Sequence, residues 1–550
     1  MLKTKSLSIA FLEFTGLYLC LVAVFLIWGR TIVGGIYHGT SLPILNILIT
    51  HQGVNSLDYY LHKCVMLLVA GYIIGAAALA AWVAPQKMSS VISAHYGRAV
   101  GLIFIGYGIY VLSLFWTPEF FTQPVSQDDY IFRFVEGRRL AHGFLHGFIV
   151  PLYDPFINAG QLDFGIDQFW PALFFTLFGW TGHPAVVFNV AILLAYFVPL
   201  VLAHFFARNM QLSRTGGVIF LLAIALQLTG GIDSREFYRS GCFGFVLSTY
   251  FALYLFSLLR RYLAENKLRP LAGAALWGGF ALWVHPLTGL TFLALALPLL
   301  VTFWRRFTLR RIALLFAAAG IVIVANLPWI APFLRYTWMS PTFTAPNLQT
   351  WPGIFAYSLY KDRGFDFLCV LFIVFVYRTI RTRSTFNLSI IVSCLLLGLI
   401  AFFGSHIGLA VAEPARYSIP LGALITLAVA MIFQHEAVKK NFVYLGALAM
   451  LFLALVSPPL KLRFGYSYAP AAGRIIDYVK HSMPQGGRLL VQESVGHPWF
   501  GSHFPVALPY FTGKEIIATT QYNVSIHYPH FIDNGMLGRP LAAVGDSALQ

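Results

Sequence analysis

The chain has 550 residues, of which 58% are hydrophobic and only 11% charged, and its formal net charge is +16. A soluble domain carries nearer a quarter charged residues, so a water-soluble globular protein is excluded. The positive charge calls for no nucleic-acid partner, because Lys and Arg collect in the cytoplasmic loops of membrane proteins.

The first segment, MLKTKSLSIAFLEFTGLYLCLVAVFLIWGR, has a basic start and a long apolar run. That run exceeds a signal-peptide core and lacks a small-x-small cleavage site, so it reads as a first spanning helix. Apolar runs bounded by polar loops predict spans near 7–29, 64–84, 98–116, 184–206, 216–230, 241–259, 270–284, 286–304, 312–331, 366–378, 386–403, 418–434 and 441–457. Most are long enough to cross a hydrocarbon core of roughly 30 Å. The apolar run at 168–180, DQFWPALFFTLFG, is short, and reads as re-entrant, interfacial or an extension of the next span. The expected fold is a polytopic α-helical membrane protein of about 13 transmembrane helices.

Charge supports this order. The loops assigned to the cytoplasm hold about 19 Lys and Arg in roughly 60 residues, while the outer loops hold about 11 in roughly 150. The N-terminus is thereby placed in the cytoplasm of a plasma (inner) membrane and the C-terminus outside. The five cysteines all lie in apolar segments without metal-ligand spacing, so neither a disulfide framework nor a zinc site is expected.

Past about residue 457 the hydropathy drops. Residues 470–483 show helical periodicity, while GRLLVQES (487–494) and KEIIATTQ (514–521) read as strands. The chain divides into a transmembrane domain, 1–457, and a small α/β domain on the outer face, 458–550.

Within the first domain, residues 117–168 form an acid-rich interruption holding Glu119, Asp128, Asp129, Glu136, Asp154, Asp163 and Asp167, seven of the 21 Asp and Glu. Carboxylates gathered beside an apolar slab are costly to desolvate and mark chemistry or transport. The run DYIFRFVEGRRLAHGF sets Tyr130, Phe134 and Leu140 against Glu136, Arg138 and Arg139, as in an amphipathic helix at the interface. Further outer loops supply Asp233, Arg235, Glu236, Tyr238 and Arg239; His285 in WVHPLTG; Arg335, Lys361 and Arg363; and His406, Glu413 and Arg416.

Each has a plain structural alternative. Asp128-Asp129 suits a helix N-cap, single arginines snorkel to headgroups, His285-Pro286 suits a helix end, and Glu413 with Arg416 suits an ion pair. Convergence of five loops on one face favours chemistry on a phosphate-bearing lipid. Arg would grip the phosphate bidentately, and a carboxylate would take a proton from an attacking hydroxyl.

An acidic pair in a large outer loop, followed by an interfacial helix, resembles the GT-C superfamily of integral membrane glycosyltransferases. PLYDPFINAGQ, WVHPLTG, EPARYSIP and the tail IIDYVKHSMPQGGRLLVQES with LPYFTGKEIIATTQ resemble its prokaryotic branch of arabinofuranosyltransferases and YfhO-like proteins. Two spans precede the one delivering the pair, whereas many members place it after the first. The resemblance implies a polyprenyl-phosphate-linked sugar donor, a glycan or lipid-linked acceptor, inversion, and Asp129 or Asp128 as general base. It further implies donor binding by some of Arg416, Arg335 and His285, with Glu413, Glu236 and Tyr238 as further candidates. Some relatives use a divalent cation, Mg or Mn, at the acidic pair. A flippase for lipid-linked oligosaccharide would need polar residues inside the spans, which are almost free of them. An O-antigen-type polymerase or ligase would rest on outer-loop arginines more than on an acidic pair.

Overall fold

The computed structural model describes residues 16, 95–115, 117–126, 129–147, 152–154, 161–163, 168–230, 238, 241–336, 363–403, 414–432, 470–483 and 508–514. Its helices are α1 (Tyr96–Phe115), α2 (Asp129–Leu145), α3 (Phe169–Phe178), α4 (Pro184–Asn209), α5 (Arg214–Gly230), α6 (Phe243–Glu265), α7 (Leu268–Val284), α8 (Leu287–Thr302), α9 (Leu309–Tyr336), α10 (Arg363–Thr382), α11 (Thr385–Phe403), α12 (Ser418–Ile432), α13 (Pro470–Ser482) and α14 (Leu508–Thr512). Five of them, α1, α4, α6, α9 and α11, are long and apolar enough to cross a membrane, and α5, α8 and α12 are shorter apolar helices. The chain is a helical membrane protein. Every span predicted from 98–116 through 418–434 coincides with a helix, whereas those at 64–84 and 441–457, and all of 7–29 but Gly16, fall outside the described residues.

Short turns make neighbouring helices antiparallel, and this sorts the charges by end. The turns α4–α5, α6–α7, α8–α9 and α10–α11 all meet at one basic end, where arginines tie helix ends together. Arg260 donates to the Asn209 carbonyl at 3.0 Å, Arg311 to Asn266 Oδ1 at 2.9 Å and Arg378 to the Ile432 carbonyl at 3.2 Å. Lone C-terminal carbonyls are the groups a cation best satisfies there.

Helix α6 is the hub. It packs on α4, α7, α8 and α12, and 89% of its apolar window is buried. Lipid tails are as apolar as Leu, so such helices associate through close van der Waals packing rather than water release. Small residues permit it: a Cβ on Gly278 or Gly279 would come within 3.1 Å of Val322 or 3.2 Å of Ala325, where α7 meets α9.

The segment at 168–180 resolves into its own ten-residue helix α3, separated from α4 by a 3-10 turn at Gly179–Thr181. At 1.5 Å per residue it is about 15 Å long, half a bilayer core. Trp170 anchors it by donating to the Ala191 carbonyl at 2.8 Å. Together with α4, α6 and α7 it borders a largely apolar groove of about 720 Å³.

Helix α2 was expected to bury Tyr130, Phe134 and Leu140, and all three are buried. Its polar face departs from expectation. Glu136 is 1% exposed and ion-paired to Arg139 one turn on, because α3 packs over α2 instead of leaving that face to water. The contact depends on Gly137, where a Cβ would lie 3.0 Å from Pro171 and 3.4 Å from the Ala172 nitrogen. Gly137→Val is expected to destabilise the protein by about 1–3 kcal/mol through overpacking, read as a lower thermal midpoint in detergent, with Gly137→Ala showing a smaller drop. An unchanged midpoint for the valine variant would contradict this close approach.

The acid-rich loop also holds an unexpected antiparallel hairpin, β1 (Leu152–Asp154) with β2 (Gln161–Asp163), in the register Leu152 to Asp163 and Asp154 to Gln161. Beyond the membrane part, the helix predicted at 470–483 is α13. The strand predicted at 487–494, and all of that at 514–521 but Lys514, fall outside the described residues.

Candidate functional site

The end of the bundle opposite the arginine-rich turns gathers the candidates around the first turn of α6. Tyr130, the residue after Asp129, stacks on Phe243 with ring centroids 6.0 Å apart and 17° between planes. Its hydroxyl donates to the Tyr238 main-chain carbonyl. Two residues on, Phe245 is fully buried and receives Arg416, whose guanidinium carbon lies 5.8 Å from the ring centroid. Arg416 Nη2 also lies 4.0 Å from Cys242 Sγ. His285 meets the same Phe245 ring edge-on, 5.5 Å away at 78°.

His285 caps the C-terminus of α7 and is 6% exposed. Its Nδ1 accepts the Leu287 N–H at 3.1 Å, so a neutral ring carries its proton on Nε2. Arg416 sits in the 3-10 turn Pro414–Tyr417 just before α12. The following residue, Tyr417, packs on Phe245 at 6.0 Å. One aromatic ring thus joins two candidates that are far apart in sequence.

The remaining candidates divide. Asp129 is the first residue of α2, while Asp128, Glu236 and Glu413 fall outside the described residues. Arg335 is exposed in the last turn of α9. Tyr238 is wholly buried, stacks on Tyr196 at 3.7 Å and donates its hydroxyl to the Ala195 carbonyl at 3.2 Å. Burial pushes its pKa well above the usual tyrosine range, so it stays a neutral donor. Through these contacts Tyr238, a candidate for donor binding, packs against α4. Among the described residues no three His, Cys, Asp or Glu side chains come together as a metal cage.

Sequence reasoning missed Asn189. It is fully buried in α4, accepts the Val125 N–H at 3.0 Å and donates to the Phe120 and Gln123 carbonyls, both at 2.8 Å. It therefore clamps the strand of chain that leads into Asp128-Asp129. A lone Asn near the end of an apolar span was the available signal, since such a group needs partners.

No family model and no curated relative matches the sequence. Solved structures do. The oligosaccharyltransferase of Archaeoglobus fulgidus in complex with Zn and sulfate superposes with a TM-score of 0.50 at 12% identity, over 77% of this chain and 62% of that one. The same enzyme tethered through a disulfide to an acceptor peptide containing the NVT sequon gives 0.50 and 12%, over 77% and 64%. The fold of this chain is similar to that of this oligosaccharyltransferase. This chain spans under two thirds of the length of that enzyme, and at 12% identity the likeness concerns architecture alone.

Proposed function

We propose that the protein is a membrane glycosyltransferase that moves a sugar from a polyprenyl-phosphate-linked donor to an acceptor hydroxyl on a glycan or glycolipid. It works at the outer face of the plasma membrane, with the segment 458–550 on that side, and its motifs resemble those of the arabinofuranosyltransferase and YfhO-like branch. The observation carrying this reading is the meeting of Arg416 and His285 on Phe245, at the end of the bundle where α2 begins with Asp129. The similarity of fold to the oligosaccharyltransferase supports it.

In this reading the Asp129 carboxylate, or that of Asp128, takes the proton of the acceptor hydroxyl. The oxygen attacks the anomeric carbon from the face opposite the phosphate, and the bond from that carbon to the phosphate oxygen breaks. The configuration inverts, and polyprenyl phosphate leaves with the bonding pair. Arg416 meets that negative charge with a planar fork of donors, and His285 adds a donor from Nε2. The positive end of the α6 dipole points to the same place. Arg335, exposed in the last turn of α9, is proposed as a further donor ligand, and Glu413 and Glu236 are proposed to hold sugar hydroxyls. Carboxylate oxygens are hard donors, so a divalent cation such as Mg or Mn would be held by Asp128 and Asp129 and would supply charge against the leaving phosphate.

The test is transfer from a radiolabelled polyprenyl-phosphate sugar by the protein in nanodiscs. Arg416→Ala is expected to raise the donor KM about 10- to 100-fold, the scale of a lost charge-assisted hydrogen bond. Movement of the lipid-linked sugar across a vesicle bilayer without transfer would overturn the reading in favour of a flippase.

A further inference from the structure

Phe245 carries no reactive group, yet it touches both candidate phosphate ligands described above. We propose that Phe245 is a positioning residue that fixes both Arg416 and His285, the proposed ligands of the donor phosphate, against one ring. This rests on the reading of Arg416 and His285 as the donor-phosphate grip.

Three observations carry it. The ring is fully buried on the first turn of α6, the most enclosed of the membrane-spanning helices, so its place is fixed by packing on all sides. Both ligands lie within 5.8 Å of its centroid, although one comes from the turn after α7 and the other from the turn before α12. Tyr417 adds a third contact, edge-on, that pins the Arg416 segment to the same ring.

The chemistry suits the arrangement. A guanidinium over a ring face is attracted by the quadrupole of that ring. The N–H donors of a guanidinium lie in its plane, the geometry a phosphate takes bidentately. The edge-on imidazole meets the ring in the favoured T-shaped manner. An aliphatic side chain at 245 fills the volume but supplies neither attraction, so the two ligands lose their common reference while the helix stays packed.

The experiment compares Phe245→Leu and Phe245→Tyr in the full chain, together with a series of progressively fluorinated phenylalanines at 245. Fluorination preserves shape and drains the quadrupole. Phe245→Leu is expected to raise the donor KM, and the inhibition constant of free polyprenyl phosphate, three- to tenfold with kcat changed less than twofold. Phe245→Tyr is expected to restore both constants, and each added fluorine to raise them stepwise. Flat constants across the fluorinated series overturn the proposal, whatever the stability of the leucine variant. If Arg416→Ala leaves the donor KM unchanged, the grip itself fails. If Arg416→Ala raises it while the series stays flat, only the role of Phe245 fails.

Discussion

Asp129→Asn is expected to lower kcat for sugar transfer by about 10²- to 10⁴-fold, the range for loss of a general base. The choice of asparagine is deliberate. Asp129 is the first residue of α2, and an alanine there would change side-chain size and polarity along with the proton acceptor. Asparagine keeps the size and polarity of aspartate but takes no proton. A variant that keeps its thermal midpoint while losing transfer separates the base from a structural role. The same substitution at Asp128 assigns the base within the pair, because the residue acting as base shows the large effect. Single-turnover transfer of the labelled sugar, at saturating donor, is the measurement. Wild-type turnover in both asparagine variants would rule out a base at this pair.

The second large effect is expected at Asn189. Asn189→Leu keeps the volume and removes every bond that the side chain makes. The buried Val125 N–H and the part-buried Phe120 and Gln123 carbonyls then lose that partner. A buried group left unpaired costs about 1–3 kcal/mol and water partly compensates the other two, so a loss of about 2–3 kcal/mol is expected, seen as a lower thermal midpoint. Turnover falls as well, by about 10²-fold, since a base misplaced by roughly 1 Å loses that much. Asn189→Asp is expected to fare little better, because a carboxylate accepts from Val125 but cannot donate to two carbonyls. An Asn189→Leu protein with wild-type midpoint and turnover would show that the clamp has no bearing on the acidic pair.

The spans were legible because membrane crossing is a matter of length and composition, and arginines mark the turns without reference to partners. The site was legible only in part. Arg416 and His285 stood out as polar residues at the ends of apolar runs, and the structure brings them together. Phe245 and Asn189 did not stand out, because their partners lie far off in sequence and a buried aromatic looks like a lipid-facing one. Tyr238 misled for the opposite reason: a tyrosine among charged residues suggested exposure, whereas the ring of Tyr196 encloses it. Glu136 misled likewise, since helix periodicity does not reveal that α3 covers its face. The hairpin at Leu152–Asp154 and Gln161–Asp163 has strands of three residues, too short for an alternating pattern to emerge.

The enclosure of α6 bears on how the protein is made. Of the five long apolar helices it is the least apolar and the most covered, 89% buried against 11% for α9. It carries Ser248, Thr249 and Ser257 at zero exposure, hydroxyls that lipid would not welcome. Its surroundings are therefore other helices, and they do not all arrive together. Helix α4 precedes it off the ribosome, α7 and α8 follow at once, and α12 comes roughly 150 residues later, on the order of ten seconds at ordinary rates of synthesis. Until then the flank of α6 that receives Arg416 and Tyr417 faces whatever the bilayer and its insertion machinery provide. The corner where Arg416 meets Phe245 is accordingly among the last parts of the membrane domain to close, and a nascent chain carries the acidic pair long before it carries that arginine.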